Sequence, residues 1–433
     1  MGGRVLTDKK PTLYSKKSIT FGEALKKERP TAFYTMIKPV GSQCNMACAY
    51  CYYLDKADLY NNRQQLMPPE ILEQYIRQYI EGNEAPEVTF VWHGGEPLLA
   101  GIDYFRQAMV FQQKYAAEKT IVNTLQTNGL LINDDWADFF REHRFLVGIS
   151  IDGPEEIHDA YRTDQGRHPT FGRVIRAIEQ LMRRNVEFNT LSVVNALSEG
   201  RGREVYRFLK SIGSRYMQFL PAVEHTLVLQ DGSERIVPPG TVGAQMARWS
   251  VSAQGYGEFL VDIFDDWIVA DVGQYFVQLF DATLAQWYGA PPGVCTFSDS
   301  CGEALVVEHN GDVYSCDHFV YPSHKLGNIQ ETDLKTLFQS DRQFAFGLDK
   351  RNNLPRECRV CRYYFACRGE CPKHRFDRSI DGEPHKNTLC NGFKLFFAHT
   401  APYMKYMCGL LEAGRAPAEI MSWPYLTKHP GTF

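Results

Sequence analysis

The chain has 433 residues, 44% of them hydrophobic, enough to bury a substantial core in two or three domains. Its 47 basic and 51 acidic residues leave a formal net charge of −4, which excludes the strongly basic surface of a nucleic-acid or membrane-surface protein. Residues 1–30 are polar and Lys-rich without the apolar centre of a secretion signal, and no run approaches the roughly 18 apolar residues of a membrane span, so a cytoplasmic protein is expected.

After this polar extension, apolar runs and amphipathic segments alternate. Strands are expected at Tyr34–Val40, Val88–Trp92, Ile121–Gln126, Leu146–Ile151, Phe188–Val194 and Tyr216–Pro221. Helices are expected between them at Pro69–Glu81, Tyr104–Glu118, Asp134–Arg141, Phe171–Arg184 and Arg203–Ile212. Pro69 suits a first helical turn, where its missing N–H costs nothing. Such alternation implies a parallel sheet with right-handed crossovers. Six units are too few for a closed eight-stranded barrel, which leaves an open partial barrel or a doubly wound sheet. Next comes Glu224–Gly255, polar and irregular with Pro238-Pro239-Gly240, read as an insertion loop. Two helices with apolar stripes, Tyr256–Ala270 and Val272–Tyr288, bridge to a Cys-rich part. An apolar helical run at Phe396–Leu411 follows it, with Cys408 inside as an expected buried thiol.

Unusual sequences recur at the carboxyl ends of the expected strands. They are Cys44–Cys51, Gly94-Gly95-Glu96-Pro97, Gln126-Thr127-Asn128-Gly129, Ser150-Ile151-Asp152-Gly153, Asn195 and Pro221-Ala222-Val223. Parallel α/β folds place ligands and catalysis at that edge. Any one loop is explained by turn chemistry alone. Six together, one carrying three cysteines, point to a single active-site mouth.

The chain has 12 cysteines, and a reducing compartment makes clustered cysteines metal ligands or catalysts rather than disulfides. Cys44, Cys48 and Cys51 form a CxxxCxxC loop. Three thiolates can hold a four-iron cluster and leave one iron open to chelate the amino and carboxylate groups of S-adenosylmethionine (SAM). A zinc site completed by His93 is the structural alternative. Tyr50, between two of these cysteines, is placed to cover the adenine of that cofactor. The C-terminal cysteines read Cys295-x5-Cys301-x14-Cys316 and Cys358-x2-Cys361-x5-Cys367-x3-Cys371-x18-Cys390. Eight thiolates suffice for two four-coordinate sites. Zinc staples stay open as a reading here, because thiolate count does not fix the metal.

CxxxCxYC after the first strand, followed by a GGEP loop, resembles the radical SAM superfamily. The resemblance implies reductive cleavage of SAM to methionine and a 5′-deoxyadenosyl radical. It further implies that Gly94, Gly95, Glu96 and Pro97 meet the methionine amino group, that Ser150 and Arg162 contact polar groups of the cofactor, and that backbone near Val223 packs by the adenine. Arg162 sits twelve residues after Ser150 in His158-Asp-Ala-Tyr-Arg162, a matching spacing. Taken alone, such an arginine is more often a solvated charge or a surface ion pair. The C-terminal pattern is similar to the SPASM extension with two auxiliary [4Fe-4S] clusters. That likeness implies Cys295, Cys301, Cys316 and Cys371 as ligands of the first and Cys358, Cys361, Cys367 and Cys390 as ligands of the second, three clusters in all.

Longer strings sharpen the resemblance. Ile37-Lys-Pro-Val, Trp92-His-Gly-Gly-Glu-Pro, Leu125-Gln-Thr-Asn-Gly, Val147-Gly-Ile-Ser-Ile-Asp-Gly-Pro, Gly311-Asp-Val-Tyr-Ser-Cys-Asp317 and Leu326-Gly-Asn-Ile resemble the anaerobic sulfatase-maturating enzymes over roughly residues 32–410. His93 departs from relatives that have Gln before GGEP. The fold then expected is α/β, a partial (β/α)6 TIM-like barrel with a C-terminal cysteine-rich SPASM domain. Its segments are a polar extension (1–30), the barrel (31–223), an insertion loop with bridging helices (224–290), the auxiliary-cluster domain (291–395) and a C-terminal helix and tail (396–433). The implied reaction oxidises a Cys or Ser in a Cys/Ser-x-Pro-x-Arg segment of a sulfatase polypeptide to Cα-formylglycine without oxygen. An electron donor such as flavodoxin or ferredoxin is the implied partner. Loss of a Cβ hydrogen, then of a proton and an electron, gives the aldehyde directly from Ser; Cys passes through a thioaldehyde that water converts. Asp317, directly after Cys316, matches the family's catalytic base, although a carboxylate there can equally cap a turn or pair with a lysine. Two other readings remain: a different SPASM maturase, such as a thioether-forming one, and a zinc-stapled binding module. The first is disfavoured because about 30 polar residues before the first strand are too few for a folded peptide-binding domain.

Overall fold

A computed structural model describes residues 29–60, 65–229, 232, 234–238, 241–424 and 426. Nearly all of the expected polar extension, and Pro239-Gly240 of the insertion loop, lie outside the described residues.

Six strands form the parallel core: β1 (Tyr34–Ile37), β2 (Glu87–Trp92), β3 (Thr120–Thr127), β4 (Leu146–Ser150), β5 (Phe188–Val194) and β6 (Tyr216–Pro221). They lie side by side in chain order. Helices α1 (Pro69–Gly82), α2 (Ile102–Tyr115) and α3 (Asp134–Glu142) return the chain after β1, β2 and β3. After β4 come α4 (Glu155–Tyr161) and α5 (Phe171–Arg183), and α6 (Gly202–Ser211) follows β5. The period-2 pattern of β2 explains its place: Val88, Phe90 and Trp92 are buried, while Thr89 and Val91 on the other face are half-buried. Trp92 meets Phe105 of α2, which meets Trp136 of α3, at ring-centroid distances of 5.1 and 5.4 Å. Asn133 caps α3 by accepting from Trp136 N, which fixes the direction in which that indole enters the core.

The sequence reading leaves Glu224–Gly255 irregular, but the structure gives it a small antiparallel sheet: β7 (His225–Val228) pairs with β8 (Glu234–Ile236) on one side and β9 (Gln245–Met246) on the other. Its strands are two to four residues long and largely exposed, so they carry no burial periodicity to betray them. Helix α7 (Ala253–Ala270) follows. The second bridging helix begins later than its apolar run suggests, because Phe276–Val277 forms β10, parallel to β6, before α8 (Gln278–Tyr288) starts.

The sheet does not close into a ring. The outer edge of β1 is taken by β11 (Ala304–Val307), parallel, in the register Tyr34↔Ala304 to Ile37↔Val307. Antiparallel β12 (Asp312–Tyr314) and β13 (Lys325–Asn328) complete a ten-stranded sheet. With β1 to β6 in unbroken order, the parallel core is an open partial barrel and lacks the strand-order reversal of a doubly wound sheet. Helices α9 (Leu334–Phe338), α10 (Asp341–Asn352), α11 (Arg356–Arg359), α12 (Tyr364–Cys367) and α13 (Cys390–Glu412) form the rest. Helix α13 docks on α7 backbone to backbone: a Cβ at Gly392 would lie 2.0 Å from Ala253 O, and one at Gly257 2.7 Å from Gly392 Cα. That contact holds the first turn of α13, where Cys390 sits. Cys408, near the far end of α13, is half-buried rather than enclosed. Among the described residues no helix is long and apolar enough to cross a membrane.

Candidate active site

The cysteine loop follows β1 and is clamped from two sides. Gly95 N donates to Gly41 O (2.8 Å) and Glu96 N to Gln43 O (2.8 Å). Only glycine fits at position 95, since a Cβ would lie 2.0 Å from Gln43 O. From the other side, Ala47 N bonds Thr163 O and Ala49 N bonds Tyr161 O. The Cys44 sulfur lies 3.4 Å from Met46 N and 3.6 Å from Asn128 Nδ2. Burial pushes the Cys44 and Cys48 thiols up to about 12; the Glu96 carboxylate adds to the rise at Cys44, and Cys51 adds to both. Three half-buried cysteines whose charges would repel one another, with two N–H donors facing the Cys44 sulfur, are the donor set a cationic cluster neutralises. The loop therefore fits a four-iron cluster with one iron open.

Glu96 does not lie free for a ligand. Its carboxylate is fully buried and accepts from Thr127 Oγ1 (2.8 Å), Asn128 N (2.8 Å) and Leu98 N (3.0 Å), tying the GGEP loop to the end of β3. Burial outweighs these donors and raises its pKa to about 7. A carboxyl raised on folding contributes stability that is fully present below about pH 4.5 and is lost as pH rises through about 7. The cluster-free protein should therefore melt at a lower temperature at pH 8 than at pH 5.5, losing at most about 2 kcal/mol. Glu96→Gln should flatten that slope, which thermal melts across the range check.

Ser150, at the end of β4, receives Gln126 Nε2 at 3.0 Å, so its hydroxyl is pre-oriented. Arg162 is neither solvated nor at the surface. It is buried, with Nε 3.0 Å from Asp152 Oδ1 and its guanidinium 5.6 Å from the Tyr50 ring centroid. Asp152, not singled out from the sequence, is the hub here. It accepts from Arg162, from the Tyr50 hydroxyl and from Val193 N (3.0 Å). Its place at the end of β4, in a strand-end string, was the available signal. His158 supports the turn, with Nε2 3.0 Å from Thr170 Oγ1, and burial lowers its pKa so that it stays neutral. Tyr50 packs with Ala222, Ala247 and Trp249 in a small apolar cluster that Cys48 and Tyr161 border. Val223, next in the chain to Ala222, is buried in the main core, while Pro97 opens the turn after Glu96. Trp249 comes from the segment expected to be irregular.

A second polar nest lies between the cysteine loop and the C-terminal part. Asp317 Oδ1 lies 2.5 Å from Lys38 Nζ, and the Tyr52 hydroxyl donates to Asp317 Oδ2. The Lys38 side chain is 0% exposed. Its ammonium also lies 3.0 Å from His93 Nδ1 and 4.1 Å from the Tyr53 ring centroid. Burial alone would raise the Asp317 carboxyl, but Lys38, then His93 and His318, outweigh it and hold the group well below the usual carboxylate range. Burial and the Lys38 charge lower His93 to about 4. His93 Nδ1 accepts from Gly94 N (2.8 Å) as well as facing Lys38, so the neutral ring carries its proton on Nε2. The lysine pairing that competes with a base role in the sequence reading is thus present, and it keeps Asp317 ionised. Lys38 and Tyr52 escaped that reading, since their partner lies some 270 residues away.

The C-terminal cysteines fall into two groups in space. Cys358, Cys361, Cys367 and Cys390 line one cavity with Tyr363, Phe393 and Phe397. Cys316 feels the charges of Cys295 and Cys301, and Cys371 those of Cys316 and Cys301, with burial raising every thiol of this second group. Among the described residues no three His, Cys, Asp or Glu side chains converge closely enough for a single metal ion.

A family model described as the radical SAM superfamily matches residues 39–209, and one described as an iron-sulfur cluster-binding domain, SPASM, matches residues 299–362. The serine-type anaerobic sulfatase-maturating enzyme of Bacteroides thetaiotaomicron is 48% identical over 390 residues, covering 90% of this chain and 94% of that protein. A cysteine-type anaerobic sulfatase-maturating enzyme of Clostridium perfringens is 33% identical over 372 residues, 85% of this chain and 96% of that one. Among solved structures, native anSMEcpe with bound AdoMet and Cp18Cys peptide aligns with TM-score 0.76 and 31% identity over 87% of this chain and 99% of that one.

Proposed function

Since this chain belongs to the anaerobic sulfatase-maturating enzymes, a branch of the radical SAM superfamily, we propose that it oxidises a sulfatase serine in preference to cysteine, giving Cα-formylglycine with Asp317 as the base. It is a radical SAM oxidoreductase whose cofactors are SAM and [4Fe-4S] clusters. Bound SAM with its cluster supplies the radical that removes a substrate Cβ hydrogen, and the auxiliary clusters accept the electron given up next. The cluster ligands we assign are Cys44, Cys48 and Cys51 for SAM, with the two C-terminal groups of four for the auxiliary clusters.

One observation carries the base assignment. Tyr52 directly follows Cys51, Asp317 directly follows Cys316, and the two side chains are hydrogen-bonded to each other. A carboxylate at that junction sits between the site where hydrogen leaves and the site where the electron goes. Lys38 and Tyr52 hold it ionised and aimed, ready to take the hydroxyl proton of the substrate serine. Neutral His93 offers an N–H beside it. Asp152 fixes Tyr50 and Arg162 against the SAM site, with Ser150 across the strand ends. The serine preference is supported by the serine-type relative at 48% identity against 33% for the cysteine-type one. The electron donor is a small one-electron carrier such as flavodoxin or ferredoxin, and the setting is the cytoplasm.

The test is mass spectrometry of Ser-x-Pro-x-Arg and Cys-x-Pro-x-Arg peptides after anaerobic turnover. The expected product is a loss of about 2 Da from the Ser peptide, formed faster than the loss of about 18 Da from the Cys peptide, with 5′-deoxyadenosine alongside. Faster conversion of the Cys peptide would overturn the preference. 5′-Deoxyadenosine with neither peptide changed would overturn the substrate.

A further inference from the structure

Arg375 is buried, 6% exposed, at the seam between the two C-terminal cysteine groups. Its Nε donates to Gly369 O (3.0 Å), Nη1 to Lys350 O (2.6 Å) and Nη2 to Glu370 O (3.1 Å). Gly369 and Glu370 belong to the short link between Cys367 of one group and Cys371 of the other. Lys350, in turn, donates through Nζ to Cys295 O and Thr296 O. One guanidinium thus braces the crossover between the groups and the helix that holds Cys295.

All three acceptors are neutral carbonyls. The nearby carboxylate, Glu370, is taken by His374 Nδ1 (2.9 Å) and Asn387 Nδ2 (2.6 Å). Among the described residues Arg375 has no carboxylate ion pair. The buried Glu370 carboxylate is the negative charge that Arg375 feels most, but with no direct ion pair the buried cation stays costly, so its other neighbours are expected to bring further negative charge. A four-iron cluster on four thiolates is an anion, and the charge of Arg375 reaches Cys301 and Cys371 on one side and Cys358 on the other.

We infer that Arg375 is the shared counter-cation of the two auxiliary clusters, a positioning residue that raises both of their reduction potentials. This rests on the reading that the eight C-terminal cysteines hold two clusters. Reduction adds negative charge to a cluster, and a fixed cation in a low-dielectric seam stabilises that state. Both clusters then gain or lose that help together, so an electron leaving the substrate meets two acceptors tuned by one residue.

The experiment is an EPR-monitored redox titration of reconstituted full-length protein with Arg375→Gln and Arg375→Lys. Wild type should hold about twelve irons, three clusters; fewer would defeat the underlying reading instead. In Arg375→Gln, both auxiliary midpoint potentials should fall while that of the cluster on Cys44, Cys48 and Cys51 stays put. Arg375→Lys keeps the charge and should titrate near wild type. Unmoved potentials with full iron content overturn the inference, as does a shift confined to one auxiliary cluster. If Arg375→Gln fails to load its clusters, the lysine variant decides. Potentials near wild type support the charge role, and lowered ones overturn it.

Discussion

Asp317→Ala should keep producing 5′-deoxyadenosine at roughly the wild-type rate while aldehyde formation falls by about 10²–10⁴-fold, the usual reach of a positioned base. The Tyr50, Arg162 and Ser150 constellation is untouched by the change, so radical generation continues. The proton on the substrate hydroxyl loses its acceptor. Lys38 also loses its carboxylate, and with a side chain 0% exposed it becomes a buried charge without a counter-ion. Breaking such a pair costs about 3–5 kcal/mol, so the melting temperature should drop with the activity. Asp317→Asn keeps the shape and an acceptor for Tyr52 but also lacks the charge, so it should lose aldehyde formation and the Lys38 counter-ion alike, which separates loss of charge from loss of packing. Both products are read by chromatography and mass spectrometry in one anaerobic time course. Aldehyde at the wild-type rate from Asp317→Ala would remove the base assignment.

Asp152→Ala is the second large effect, and it should fall on cofactor binding rather than on the later proton transfer. Three donors converge on this buried carboxylate: Arg162 Nε at 3.0 Å, Val193 N at 3.0 Å and the Tyr50 hydroxyl. Alanine frees Tyr50 to leave the apolar cluster with Trp249 and strands Arg162 as a buried unpaired cation. The expected loss is at least about tenfold in SAM affinity, about 1.4 kcal/mol or more, together with about 3–5 kcal/mol of stability. Iron content should stay near wild type, because no cysteine of the loop loses its backbone clamps. Equilibrium SAM binding to the reconstituted variant measures this. Unchanged affinity would reduce Asp152 to a structural staple.

What the sequence disclosed was local. Six strands and the helices between them follow from period-2 and period-3.6 patterns, and the cysteine spacings survive as spatial groups. Contacts between distant segments were hidden. Asp152 and Tyr50 are 102 residues apart, and Lys38 reaches Asp317 from the other end of the chain. No pattern around Arg162 distinguishes a buried ion pair from a surface one. The sheet β7–β9 and its neighbour Trp249 escaped because short exposed strands leave no periodic trace. Helix α4, which delivers Arg162, is only seven residues long and lies in a segment the sequence reading left without an element.

The pairing of β1 with β11 sets a timetable for synthesis. Tyr34 leaves the ribosome 270 residues before its partner Ala304. At 5–20 residues per second that is about 15–50 s during which the first strand has an open edge. A fragment cut between barrel and auxiliary domain would keep that edge bare, with Met36 and Ile37 along it, and should aggregate rather than fold. The loop bearing Cys44, Cys48 and Cys51 springs from this same strand. Stable cluster loading there is therefore expected after translation is complete, which makes maturation of this enzyme a post-translational event in its own right.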